Sequence, residues 1–241
     1  MLINIFGRLG SVNYKLLAGT NIKGGTDSLF FIHDRDYRVS PADFCIVSLN
    51  KNDRLRLVNC VEMADVVRQV VIRNYGEIQK EEDKYGSWEF KLPGYPWNCS
   101  GHEAIRSRRL ISRVSEAMLA HGWALTNAID ISRSTDDKSV LLYTRCQPLS
   151  TNFACLALSD VDRIRLLDFP PAETSSLKTC LVQNYMPGVQ KEEVKDERCH
   201  QLDFIGSPWT QSSSFGIHAR TALMHAMKVI CHDLSLHICQ Y

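Results

Sequence analysis

The sequence predicts an α+β protein made by tandem duplication: two units of roughly 110 residues, each a mostly antiparallel sheet with two helices, in an approximate two-fold arrangement. Three observations predict it. The chain resembles itself at a nearly constant offset, it carries short apolar or alternating runs bounded by turn residues, and each half has two stretches with helical spacing.

The offset is read from ordered matches. FCIVSLNKNDRLRLVN at 44–59 matches FACLALSDVDRIRLLD at 153–168, with Asp53 falling on Asp162. Asn74-Tyr75 returns as Asn184-Tyr185, and QKEE at 79–82 returns at 190–193. Gly94, Pro96 and Trp97 fall on Gly206, Pro208 and Trp209. YKLLAGTNIKGGTDSLFF near the start runs parallel to residues 123–143, and SLHICQY at the end resembles the start of a third copy, cut short. The repeats are therefore placed at 14–122 and 123–232, with units 1–122 and 123–241.

Each element has a local reason. SLFFI, ADFCIVSL and RLRLV in the first copy, and SVLLYT and FACLAL in the second, are short apolar or period-two runs and predict strands. ADVVRQVVIRNYG and SSLKTCLVQNYMPG place apolar residues at helical spacing and stop at Gly or Pro, so each predicts a helix. A polar KEE loop and a strand, SWEFKL or HQLDFI, come next, followed by the Pro-Trp corner. SGHEAIRSRRLISRVSEAMLAHG is the longest predicted helix, opened by Ser100 and Glu103 in capping-box spacing and closed by Gly122. Ala104, Ser107, Ile111, Val114 and Met118 share one face of it; their counterparts Gly216, Ala219, Leu223, Ala226 and Ile230 are also small or apolar. DFPPAETSS and DISRSTDDKS are the only linker-like stretches.

Composition narrows the partners. Net charge is +1 over 241 residues, which gives no general reason to expect nucleic acid or an anionic membrane. No apolar run approaches the roughly 20 residues that span a bilayer, and MLINIFGRLG lacks the apolar region of a signal peptide. The nine cysteines include no C-x-x-C pair, and several sit inside apolar runs, which points to a reducing compartment, cytoplasm or nucleus.

Residues that could carry chemistry are few. Lys23-Gly24-Gly25-Thr26 lacks the phosphate-loop spacing and reads as a hairpin turn. His218, His225 and His232 recur at a spacing of seven, too far apart to share an ion, so neither a metal nor another cofactor is expected. Arg106, Arg109 and Arg113 form a basic stripe on the long helix, where the second copy has His218, Thr221 and His225. Arg108 and Arg220 recur beside the buried face and call for an acidic partner among Asp53, Asp162 and the Glu81-Glu82 and Glu192-Glu193 pairs. Pro96, Trp97, Pro208 and Trp209 read as structural corners, whereas Tyr95, replaced by Ser207 in the second copy, is free to serve recognition.

No catalytic signature is present. The leading expectation is a non-enzymatic protein-interaction module, an adaptor or scaffold subunit, contacting its partner through Arg106, Arg109, Arg113 and Tyr95. The alternatives are a small-molecule or lipid binder with its pocket between the halves, and an enzyme with one active and one degenerate half. Nucleic acid is the least expected partner, and the oligomeric state is left open.

Overall fold

The computed structural model describes residues 1–22, 26–132, 138–210 and 214–233. The chain opens with an unexpected helix, α1 (Leu2–Ser11), whose Phe6, Gly7 and Gly10 are buried. A Cβ on Gly7 would overlap the Pro41 nitrogen, so the helix approaches that segment more closely than any side chain allows. β1 (Tyr14–Thr20) and β2 (Ser28–His33) then form a two-stranded sheet of their own. The Lys23-Gly24-Gly25 part of the expected turn between them lies outside the described residues.

The first repeat follows as β3 (Phe44–Asn50), β4 (Arg54–Val58), α2 (Ala64–Asn74), β5 (Lys80–Lys84), β6 (Ser87–Lys91) and α3 (Gly101–Ala120). β7 (Trp123–Ile129) and β8 (Val140–Arg145) complete one antiparallel six-stranded sheet, ordered β5-β6-β4-β3-β8-β7. One core lies where α2 and α3 pack on Val47, Leu55, Leu57, Phe90 and Tyr143. A second gathers Phe6, Leu16, Leu29 and Phe31 with Phe44, Ile46, Ile129 and Leu142, so α1 and the β1–β2 hairpin cover residues of the sheet that the helices α2 and α3 do not.

The second repeat runs β9 (Cys155–Ser159), β10 (Arg163–Leu167), α4 (Pro171–Asn184), β11 (Val189–Asp196), β12 (Cys199–Phe204) and α5 (Ser214–Lys228), ending in a π-helical turn at Val229–Asp233. Its described sheet is antiparallel in the order β11-β12-β10-β9, and Ile164, Leu166, Leu202 and Phe204 pack against α4 and α5. The matched helix faces agree position by position. Ala104, Ser107, Val114 and Met118 are buried, as are Gly216, Ala219, Ala226 and Ile230, while Ile111 and Leu223 are both half-buried. The protein is thus an α+β fold with a duplicated unit and antiparallel sheets.

Two local expectations are corrected. The KEE stretches are strands, β5 and β11, because each is an edge strand whose charged side chains reach water. DFPPAETSS is not a linker: PAETSS is the first part of α4, with Pro171 at the opening position, where a missing N–H costs nothing. The compact units divide between Asn152 and Phe153, while the sequence repeat turns over at 122/123. The strands at issue are β7 and β8. They begin the second copy by sequence, but β8 pairs with β3 from Phe44↔Thr144 to Ser48↔Val140, in the first unit. The tail SLHICQY lies outside the described residues.

Candidate functional site

The Pro-Trp corner has the same hydrogen bonds in both copies. Leu92 N–H donates to the Asp53 carbonyl at 2.9 Å, and Phe204 to Asp162 at 2.8 Å. Trp97 N–H reaches the Asn52 carbonyl at 3.1 Å, and Trp209 that of Val161 at 3.4 Å. The indole N–H of Trp97 donates to the Arg54 carbonyl at 2.8 Å, and that of Trp209 to Arg163 at 3.2 Å. Gly94 and Gly206 both have positive φ, and Pro96 and Pro208 are both buried. Each corner ties the approach to a long helix to the β3–β4 or β9–β10 turn.

Around that shared frame the copies diverge. In the second, the Phe215 ring packs on Gly206, close enough that a Cβ there would meet it at 2.7 Å, and Tyr185 OH donates to the Ile205 carbonyl at 2.6 Å. In the first, Glu103 stands where Phe215 does, its Oε1 over Gly94 and accepting from Tyr75 OH at 3.0 Å. Arg106 donates to the Tyr75 carbonyl and lies 5.1 Å from its ring centroid. Ser107, in place of Ala219, donates to the Glu103 carbonyl at 3.0 Å, and Cys99 Sγ sits 3.4 Å from Ser107 Oγ and 3.1 Å from the Pro96 carbonyl. Burial pushes the Tyr75 phenol up to about 12; the Ser107 hydrogen bond opposes this and the Glu103 carboxylate adds to it. The expected capping box does not form: Ser100 makes no side-chain cap bond, and Glu103 turns to Tyr75 instead.

The residues singled out from sequence fall in different settings. Tyr95 is 64% exposed and Arg106 is exposed, both beside this network. Arg109 and Arg113 are half-buried, and Arg113 pairs with Glu116. Arg108 donates to the Ala104 carbonyl at 2.9 Å, and Arg220 is exposed. The acids expected near them have other partners: Asp53 takes Arg54, Glu81 takes Arg68, Glu82 takes Lys80, and Glu192 takes Lys178. Among the described residues, no group of three His, Cys, Asp or Glu is placed to hold a metal ion.

Sequence reasoning overlooked a polar row on each sheet. Glu89, 4% exposed, accepts from Arg56 and lies 3.5 Å from both Arg54 Nε and Lys84 Nζ. At the matching positions Arg165, 3% exposed, donates to Gln201 at 2.9 Å, and Gln201 and Arg163 both donate to Asp203, at 2.7 and 3.0 Å. The repeated alternation of RLRL and RIRL was the available clue, since period two puts every arginine on the side away from the buried leucines and isoleucine.

A protein-family domain model matches the chain over residues 43–144 and 152–233. No curated protein and no solved structure matches it. The first matched segment runs into β8, as the sheet does, and the two segments together cover well over half the chain. The chain therefore belongs to the family that this domain model describes, and it carries the match in two successive segments, one for each copy of the duplicated unit.

Proposed function

We propose that this protein is a non-enzymatic, intracellular protein-interaction module, and that the partner contacts the corner of the first copy around Tyr95 and Arg106. One observation carries the reading. The first copy replaces the apolar plug at this corner with the Tyr75–Glu103–Arg106–Ser107 network, although the second copy closes the same corner with Phe215 and Ala219. A polar group where packing alone suffices adds nothing to the shared frame, so its use lies at the surface. There Tyr95 supplies a rigid aromatic with a hydroxyl tip and Arg106 a cation fixed against a ring, the residue types that dominate binding hot spots.

The test gives the first copy the residues of the second: Tyr95→Ser with Arg106→His. Wild type and variant are used for quantitative affinity capture from the native cells, with and without nuclease, after their thermal transitions are shown to match. A nuclease-resistant partner that falls about tenfold in the variant, a cost typical of one or two hot-spot side chains, supports the reading. Identical captured proteins at identical levels would overturn it.

A further inference from the structure

The β1–β2 hairpin matches the β7–β8 hairpin in geometry as well as sequence. In both, the register slips once, between Leu16 and Ala18 in one and between Leu125 and Asn127 in the other, at positions that the repeat places in correspondence. The second strands correspond from Ser28 and Val140 onward. The outer edge of β8 is a joining edge: it pairs with β3 and so ties the hairpin into the larger sheet. β2 has the same design but closes a sheet of two strands, and among the described residues its ladder runs to β1 alone. Asp27, just before β2, is held by Asp130, whose backbone N–H donates to its Oδ2 at 2.8 Å.

The strand itself carries none of the residues that usually block an edge. Ser28–His33 contains no Lys, Pro, Asp or Glu, and the slip in register lies on the β1 strand. Phe30 and Ile32 are 47% and 49% exposed on the side away from the core that holds Leu29 and Phe31. A short, uncharged, β-branched and aromatic edge is a template for another strand.

We propose that β2 pairs antiparallel with β2 of a second copy, making a two-fold dimer through a four-stranded sheet ordered β1-β2-β2-β1. The period of two fixes which registers are open, because the exposed residues of both copies must share one face. The register centred on Phe31 sets Phe30 of each copy opposite Ile32 of the other, Leu29 opposite His33, and Asp27 beside Arg35 at both ends. A register two positions away in one direction loses the Asp27–Arg35 pairs, and in the other it sets Asp34 against Phe30. Charge and apolar contact therefore favour the same arrangement, and the interface is self-complementary, as two-fold symmetry requires.

The test is sedimentation velocity of the full chain over a concentration series, comparing wild type with Ile32→Lys, Phe30→Lys and Leu17→Lys. All three positions are exposed, so a matching thermal transition confirms that each variant folds. Wild type is expected to dimerise with a Kd on the order of micromolar, Ile32→Lys and Phe30→Lys to weaken it at least about tenfold, and Leu17→Lys, on β1, to leave it unchanged. A wild type that stays monomeric up to about 100 µM overturns the proposal. So does a dimer that tolerates both β2 substitutions, or a monomer that captures a different protein through this edge.

Discussion

The indole N–H of Trp97 is hydrogen-bonded to the backbone carbonyl of Arg54 at 2.8 Å, spanning 43 residues of chain. Trp209 repeats the bond to Arg163 at 3.2 Å. Replacing either tryptophan by phenylalanine keeps most of the ring and removes the donor, so each should cost about 1 kcal/mol, with Trp97→Phe the larger because its bond is shorter. Urea unfolding reads the loss as a lower midpoint with an unchanged slope. Midpoints equal to wild type in both variants would mean the corner is held by ring packing alone.

Glu89 makes acid stability testable. Burial works to raise its pKa, but the hydrogen bond and charge of Arg56, with Lys84 behind, outweigh burial and hold it below the ordinary value of 4.5. A carboxylate whose folded pKa is depressed stabilises the fold above its unfolded pKa, and that stability is lost as pH falls through the folded one. Glu89→Gln should therefore lower stability at neutral pH by about 2 kcal/mol and flatten the decline below about pH 4.5. Urea titrations at neutral and acid pH check both parts; a variant with the wild-type acid slope contradicts the assignment.

The sign is reversed at the alkaline end. Tyr75 is raised to about 12 from an ordinary value of 10, chiefly by burial, so the folded state holds its proton after the unfolded state has released it. Stability from this group is whole below pH 10 and drains away as pH rises from there to about 12. Tyr75→Phe should lack that part of the decline. Urea midpoints for wild type and variant at neutral and alkaline pH, with ultraviolet titration of tyrosinate, measure it.

Two glycines with similar backbone angles should respond differently to alanine. Gly122 has φ +81°, and a Cβ there would lie 2.9 Å from the Cys146 carbonyl oxygen, which accepts no such contact without moving backbone. Gly101 has φ +60° and open space around it. Gly101→Ala should cost about 1 kcal/mol from backbone strain alone, and Gly122→Ala about twice that or more. Equal shifts in thermal midpoint would show that the close approach at Gly122 relaxes freely.

Much of this architecture could be read from the letters, because packing leaves a periodic trace. The buried face of α3 recurs in α5 down to the half-buried pair Ile111 and Leu223. What could not be read depended on distant partners. Lys80–Lys84 has no apolar alternation, since an edge strand of this kind gains its order from the β6 backbone. Glu103 lies three positions after Ser100 and reads locally as a cap, whereas the fold brings Tyr75 to it from 28 residues away. The phase of the repeat was hidden for a related reason. A hairpin between two copies can open the next sheet or close the previous one, and only the pairing of β8 with β3 decides.

That pairing sets a timetable for synthesis. β3, Phe44–Asn50, has β4 beside it almost at once, but its other neighbour, β8, is translated only at Val140–Arg145. The first sheet is thus completed by residues encoded after the second copy has begun, and until they emerge a growing chain presents a half-made edge. A nascent chain stalled after α3 would expose this edge of β3 to any strand within reach, until the opening residues of the second copy arrive to cover it.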